Sequence, residues 1–378
     1  MPNDTMDRRK FLRAGGVAGA AAAASTALAA PALAEAGPKI RWRCQSAFPP
    51  TLGALHGGAV RLAEAVRAAS DGGFEIEVLP PDGTAPLTAA AEAVGAGAAD
   101  MAHTAAGYSF DKDPSFGLAG AAPFTLNARG LDAWMHQAGG LALLGAFFAE
   151  RGLAFLPGGA TGTQMGGWYR REIKTVQDLG GLNMRIAGLG GAVLQRLGVV
   201  PQALPPAAIR PALERGALDA AEWLGPHDDE ALGLVKVAPY YYYPGWWEGS
   251  LSLAFLIDKR KHDALPPSYR SLLATAARAV AQDMLAEYDY RNPPALKRLV
   301  EAGAQLRPFP QDVLNACFDA ATALYAELCD SNPTFRGLHD SIMLFRNETY
   351  LYQQVAEYTF DTFMMIKQRE GALAVDGG

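Results

Sequence analysis

Three short stretches hold the side chains whose types and spacing could do chemistry. They are Gly158-Gly-Ala-Thr-Gly-Thr-Gln-Met-Gly-Gly-Trp168, Asn183-Met-Arg-Ile-Ala-Gly-Leu-Gly-Gly191 and Asp219-Ala-Ala-Glu-Trp-Leu-Gly-Pro226. Each is a short apolar run that breaks at glycine beside one polar side chain: Gln164, Arg185 and Glu222. An amide, a guanidinium and a carboxylate brought together from separate strand ends can hold a small anion and a cation at once. A guanidinium matches a carboxylate through two parallel hydrogen bonds and does not lose its proton. Glu222 has little polar company between Ala220-Ala221 and Trp223, so it needs a cation, either Arg185 or a bound metal. The neutral oxygen of Gln164 beside one carboxylate suits a hard cation such as Na⁺ or Ca²⁺ rather than zinc, which takes His or Cys. Taken singly, each residue also has a plainer role: a capping Gln, a strand-end Arg paired with a neighbouring acid, a salt-bridged Glu.

Tyr240-Tyr-Tyr-Tyr-Pro-Gly-Trp-Trp247 is the densest aromatic run. Four consecutive tyrosines cannot all face one core. The run reads either as a strand crossing between lobes with mixed burial or as an aromatic wall against a ligand's carbon skeleton. Tyr108, just beyond a predicted strand at Met101–Thr104, is a similar candidate from the other half. Gly188-Leu-Gly-Gly191 is not a dinucleotide fingerprint, because the third glycine is missing and no acid stands about 20 residues on. His227-Asp-Asp-Glu230 follows Pro226 at a helix start, where acids favour the dipole, and reads as a solvated first turn. No serine sits in a nucleophile elbow, and no catalytic constellation is visible, so the chain reads as a binder and not an enzyme.

Residues 1–34 read as a twin-arginine signal peptide. Asp7-Arg-Arg-Lys-Phe-Leu-Arg13 precedes an Ala-rich apolar stretch and the small-x-small site Ala32-Leu33-Ala34. This predicts export of a folded chain to the periplasm. The formal charge of −6 argues against a nucleic-acid partner, which would call for a basic face. No later segment has about 18 uninterrupted apolar residues, so a membrane partner would be met by docking. Three cysteines, Cys44, Cys317 and Cys329, cannot all pair with one another. Their spacing leaves a Cys317–Cys329 disulfide open.

The elements that must position these residues follow a repeated layout. Strands at Ile40–Gln45, Phe74–Leu79 and Met101–Thr104 alternate with helices at Gly58–Ala69 and Thr88–Val94. Later, strands at Leu182–Ile186, Val199–Leu204 and into Glu222-Trp223 alternate with helices at Ala192–Leu197 and from Pro206 to Arg215, with Gly188–Gly191 read as a loop. Gly97 and Gly216 stand where a helix end calls for positive φ. This alternation predicts an α/β fold with two parallel sheets and hence two lobes. Lobe I is placed at 38–157, completed by part of 247–300. Lobe II is placed at 158–246, completed by part of 265–368. Residues 369–378 read as a tail. From Leu265 the pattern is helical, with interruptions at Asn292-Pro293-Pro294 and Pro308–Pro310.

At these stretches the chain resembles the periplasmic solute-binding subunits of tripartite ATP-independent periplasmic (TRAP) transporters, in the branch that binds 2-oxo acids and includes mannitol/chloroaromatic-type proteins. The resemblance runs from about Arg41 to Asn347 and is strongest over Gly162–Trp168, Asp178–Gly198, Ala212–Pro226 and Tyr240–Glu248. Ala160, Asp258 and the run Trp247-Glu248-Gly249 depart from the usual pattern. The resemblance implies a two-lobed periplasmic binding protein of the flytrap kind, with hinge strands and a long helix in the C-terminal region. It further implies that Gln164, Glu222 and the Trp223 backbone hold Na⁺ or Ca²⁺, that Arg185 grips a substrate carboxylate, and that Tyr108 lies near its carbon skeleton. The implied partners are a small carboxylate, the small and large membrane subunits of a TRAP permease, and in some relatives a second copy of the chain. Two other readings stay open: a twin-arginine-exported cofactor enzyme, and a sensory binding module.

Overall fold

A computed structural model describes residues 38–373, apart from 84 and 121. The predicted signal peptide and residues 374–378 lie outside the described residues. The repeated strand–helix order is present in both halves. The first half runs β1 (Ile40–Ser46), α1 (Gly53–Ala69), β2 (Phe74–Leu79), α2 (Ala89–Gly95) and β3 (Met101–Ala105), and later reaches β4 (Leu153–Ala160). The second runs β5 (Trp168–Tyr169), β6 (Asn183–Arg185), α3 (Gly188–Arg196), β7 (Val200–Gln202), α4 (Pro206–Glu214), β8 (Ala220–Ala221), α5 (Pro226–Leu232) and β9 (Tyr240–Tyr243). Gly97 and Gly216 close α2 and α4 with φ of 71° and 75°, a conformation that glycine adopts without a Cβ clash.

After β10 (Ser252–Asp258) come α6 (Pro267–Glu301), β11 (Gln305–Pro308), α7 (Gln311–Ser331), α8 (Pro333–Val355) and α9 (Glu357–Arg369). The strands form two sheets, in the orders β2-β1-β3-β10-β4 and β11-β9-β5-β8-β6-β7. In the first, β1 lies parallel to β2 and β3, while β10 runs antiparallel to β3 and β4. In the second, β6 lies parallel to β7 and β8, while β5 runs antiparallel to β8 and β9. β7 is an edge strand, where Pro201 removes no ladder hydrogen bond. The result is the two-lobed α/β fold expected, but each sheet is mixed and not parallel as expected, because β10 and β5 enter their sheets from the crossing segments and run antiparallel to their neighbours.

The chain passes between the sheets through residues 161–167 and again through 244–251. The two crossing segments are bonded to each other. Thr161 N donates to Leu251 O (3.1 Å), Gly245 N donates to Gln164 O (3.0 Å), and Leu251 N donates to Thr161 Oγ1 (3.1 Å).

Several expectations change. Gly188–Gly191 is not a loop but the first turn of α3. Its glycines serve close packing: a Cβ on Gly190 would lie 2.9 Å from the Trp247 Cβ. Asn292-Pro293-Pro294 does not interrupt α6, which runs unbroken over 35 residues. Its inner face, from Tyr269 through Leu273, Val280, Met284 and Tyr288 to Leu299, is buried at helical spacing. Asn292 Oδ1 also accepts from His227 N (3.0 Å), so tertiary contacts hold the helix across the two prolines. The tyrosine run divides as the strand reading expects, with Tyr241 and Tyr242 buried and Tyr243 exposed. None of the four lines the cavity described below. The three cysteines are free and buried, and burial pushes the Cys44 and Cys317 thiols up to about 12.

The turn expected to be solvated at His227–Glu230 is largely a core element, with Asp228 and Asp229 both 1% exposed. Asp229 accepts from Trp168 Nε1 (3.0 Å), Tyr241 Oη (2.7 Å) and Leu224 N (3.3 Å). Asp228 accepts from Tyr288 Oη (2.6 Å), and its second oxygen has no partner among the described residues. Helix α5 follows directly on the Glu222–Gly225 turn, so these acids fix that turn in place.

Burial pushes Asp228 up to about 7, against the opposing bond from Tyr288. The folded protein therefore keeps a proton there that the unfolded chain releases, and this group's contribution to stability is lost as pH rises through about 7. Asp228→Asn removes the charge and keeps an acceptor for Tyr288. It should stabilise the protein at pH 8 by up to a few kcal/mol, at about 1.4 kcal/mol per pKa unit, and change little at pH 4. Urea unfolding at the two pH values checks this, and a loss of stability at pH 8 would refute it.

Candidate ligand-binding site

Arg185 ends β6, and Glu222 follows the last residue of β8, its parallel neighbour. Backbone pairing continues one residue past the strand, Glu222 N donating to Arg185 O (2.9 Å). This register sets the two side chains side by side at the carboxyl ends of parallel strands, the usual place for ligands in open α/β sheets. Arg185 Nη1 donates to Glu222 Oε2 (2.9 Å) and to the Glu222 carbonyl (2.6 Å), and its Nε donates to Leu204 O (3.2 Å). The guanidinium carbon lies 4.6 Å from the centre of the Trp223 ring, a cation–π distance. Both partners are buried, Arg185 at 3% and Glu222 at 5% exposure.

The pair borders a cavity of about 50 Å³ between the sheets. The first sheet supplies Ala105 at the end of β3 and Gly107 and Tyr108 just after it, together with Gly117. The second supplies the turn from Arg185 to Gly190 and the segment Glu222–Leu224. The second crossing segment supplies Trp247, Glu248 and Leu251. A single water needs about 10–15 Å³ in this measure, so the space takes a ligand of only a few heavy atoms.

Four of the five site residues expected from sequence line this cavity: Tyr108, Arg185, Glu222 and Trp223. Tyr108 is hydrogen-bonded to Arg185, and burial holds its hydroxyl well above its ordinary range. Gln164 does not line the cavity. It is buried on the first crossing segment, its Nε2 donating to Thr161 Oγ1 (3.2 Å), and it reaches the site through a hydrogen bond with Glu248.

Glu248 and Trp247 were missed as site residues by sequence reasoning. The usable signal was a carboxylate directly after a run of eight aromatics and turn residues that must cross between lobes. Burial, followed by the Glu222 charge, pushes Glu248 well above the usual carboxylate range, while Arg185 and Gln164 pull it down. Burial likewise pushes Glu222 up to about 7 despite Arg185, and Asp229 adds to the rise. Two carboxyls thus face one guanidinium, and burial favours their protonated forms, so a cation that binds them displaces protons. Gln164 Oε1 and Glu248 Oε2 are buried with no hydrogen-bond partner among the described residues. An all-oxygen donor set with orphaned oxygens and two carboxyls able to ionise fits a hard cation such as Na⁺ or Ca²⁺. Among the described residues no His or Cys lines the cavity, so zinc does not fit.

Known proteins resemble this chain over most of its length. The model of a family described as bacterial extracellular solute-binding protein, family 7, matches residues 46–332. A monocarboxylate 2-oxoacid-binding periplasmic protein of Nostoc sp. is 39% identical over 331 residues, 88% of this chain and 91% of that protein. The crystal structure of a TRAP transporter solute-binding protein from Bordetella bronchiseptica is 40% identical, with a TM-score of 0.86 over 88% of this chain and 99% of that one. It is described as a mixed-occupancy dimer with copurified calcium and picolinate in one active site. A TRAP periplasmic solute-binding protein from Pseudoalteromonas atlantica, with bound sodium and pyruvate, is 33% identical, with a TM-score of 0.80 over 85% of this chain and 98% of that one.

Breaking a buried ion pair from one side leaves the other charge unpaired, at a cost of about 3–5 kcal/mol. Arg185→Met should lower the stability of the ligand-free protein by about that amount at pH 8, and adding Glu222→Gln should recover much of it. Urea denaturation of the single and double variants reads the coupling; strictly additive losses would show that the pair carries none.

Proposed function

The chain belongs to the bacterial extracellular solute-binding proteins of family 7, and on that premise we propose that it is the periplasmic receptor for a small 2-oxo monocarboxylate bound together with Na⁺ or Ca²⁺. The observation that carries the reading is a buried guanidinium paired with Glu222 and facing a second carboxyl, Glu248, at one small cavity, with the orphaned oxygen of Gln164 behind it. Arg185 takes the ligand carboxylate. Gln164, Glu222 and the Trp223 backbone, joined by Glu248, hold the cation, which takes the place of the protons that burial keeps on the two acids. Tyr108 lies against the carbon skeleton. The Nostoc, Bordetella and Pseudoalteromonas relatives support the ligand class through the 2-oxoacids, picolinate and pyruvate with which they are described.

The receptor works by population shift and not by turnover. Loops from both sheets line the cavity, so a ligand filling it bridges them and favours the closed arrangement. The closed form then delivers the acid to the small and large membrane subunits of a TRAP permease. Export follows the twin-arginine route read from residues 1–34. The receptor assembles as a homodimer through α9, none of whose residues is buried. That helix exposes Tyr358, Phe360, Phe363, Met365 and Ile366, a large apolar face for a single short helix.

Three measurements test these points. Thermal unfolding with pyruvate and either ion should rise by several degrees, and a chelator in sodium-free buffer should abolish the rise. A flat response to a panel of 2-oxo and aromatic acids would end the receptor reading as stated. Arg185→Lys keeps the charge but loses the two-pronged fork, and should weaken binding at least about tenfold. For the assembly, Phe360→Asp with Phe363→Asp should convert a dimer to a monomer in light scattering; a wild-type monomer would rule the dimer out.

A further inference from the structure

Building on the receptor reading, we propose that Trp247 sets the length of the ligand and restricts the site to 2-oxo acids of three or four carbons. The polar end of the cavity is occupied by Arg185 with Trp223 beneath it, Glu222 and Glu248. The remaining wall is made largely of small residues, Gly107, Gly117 and Gly190 among them, with a few aliphatic side chains. Two bulky aromatic side chains stand in that part of the wall among the described residues: Tyr108, tied to Arg185 by a hydrogen bond, and Trp247, which is 2% exposed and sits on the second crossing segment. The free space of about 50 Å³ is the room that the indole leaves.

The indole has nowhere to retreat. Its ring stands edge-on to Trp246 (centroids 5.1 Å apart, 66° between planes) and to Phe309 (6.3 Å, 75°), both buried. On its other side α3 approaches so closely that a Cβ at Gly190 would lie 2.9 Å from the Trp247 Cβ. The backbone that carries it is equally fixed. A Cβ at Gly245 would lie 2.7 Å from Met165 O, and one at Gly249 would lie 2.4 Å from Leu126 O. Gly245 N donates to Gln164 O, and Phe124 N donates to Trp246 O (3.1 Å). Phe124 holds a positive φ of 55°, which a bulky residue adopts only when its surroundings over-determine it. Its ring stacks on Trp246 at 5.2 Å and 10°. A longer acid would therefore have to displace a close-packed core and not a mobile side chain, and interiors of this density do not yield to added methylenes.

The Trp247 indole N–H has no acceptor among the described residues, so bulk and hydrogen bonding need separate variants. Isothermal titration of the cation-loaded protein would measure pyruvate, 2-oxobutanoate, 2-oxohexanoate and picolinate against wild type, Trp247→Phe and Trp247→Leu. The wild type should bind the six-carbon acid and picolinate at least about tenfold more weakly than pyruvate. Trp247→Phe should keep that order. Trp247→Leu should bring the six-carbon acid to within about twofold of pyruvate, since each added methylene in an apolar site is worth roughly fourfold in affinity. If the leucine variant does not fold, Trp247→Met serves in its place. A wild type that takes 2-oxohexanoate or picolinate as tightly as pyruvate would overturn the length limit and leave the receptor standing. So would a folded leucine or methionine variant that keeps the wild-type order. A wild type that binds none of the four acids would remove the receptor reading and the length limit with it.

Discussion

The buried pair of Arg185 and Glu222 is the constraint on which the rest of the site depends. Taking a guanidinium and a carboxylate out of water costs several kcal/mol per ion and is sustained only when geometry and further hydrogen bonds are nearly complete. Here Arg185 is held by a carboxylate oxygen, two backbone carbonyls and an aromatic face. That completeness requires β6 and β8 to be neighbours in this register. It also requires the turn after β8 to be rigid, which Asp229 secures by accepting from Leu224 N while anchored to Trp168 and Tyr241. Polar groups far from the cavity in sequence thus fix the position of one carboxylate.

A second carboxylate, Glu248, makes the arrangement more than a structural salt bridge. With two acids on one guanidinium, the electrostatics are left unfinished, and both acids sit above their ordinary range chiefly because burial penalises their charge. A site that is fully built, with buried oxygens left without partners, is pre-organised for what completes it. Few groups must reorder when a cation and an acid arrive together, which is the general route to affinity in a small cavity.

The two crossing segments join the sheets beside the site. They are bonded to each other through Thr161, Gln164, Gly245 and Leu251, so the junction between the sheets behaves as one unit. Gly245 and Gly249 tolerate no Cβ, which lets the second segment pass close enough to place Trp247 and Glu248 in the cavity. The lobes meet over this junction, where Leu189 of α3 reaches to within 2.7 Å of where a Cβ on Gly117 would stand.

Much of this was legible in the residues themselves. Alternating apolar runs gave the strands and helices of both halves, and glycines at helix ends gave their boundaries, because these patterns depend on local backbone physics. The isolated polar side chains Gln164, Arg185 and Glu222 stood out because an apolar strand end carries such groups at a cost. Their resemblance to a transporter family then supplied the kind of ligand. Readings that failed did so where tertiary contacts override local preference. Prolines 293 and 294 were read as a break, but α6 is held by its buried face on either side of them. Gly188–Gly191 was read as a loop, but close approach to Trp247 calls for glycine inside a helix. Asp228 and Asp229 were read as solvated, but Tyr288, Tyr241 and Trp168 bring their donors from elsewhere in the chain. The sequence by itself determined which segments become strands and helices and which side chains need a partner. Only the tertiary structure decided that Glu248 and Trp247 enter the cavity and that Gln164 stands behind it, because those positions depend on where two crossing segments meet, and no local pattern encodes that meeting.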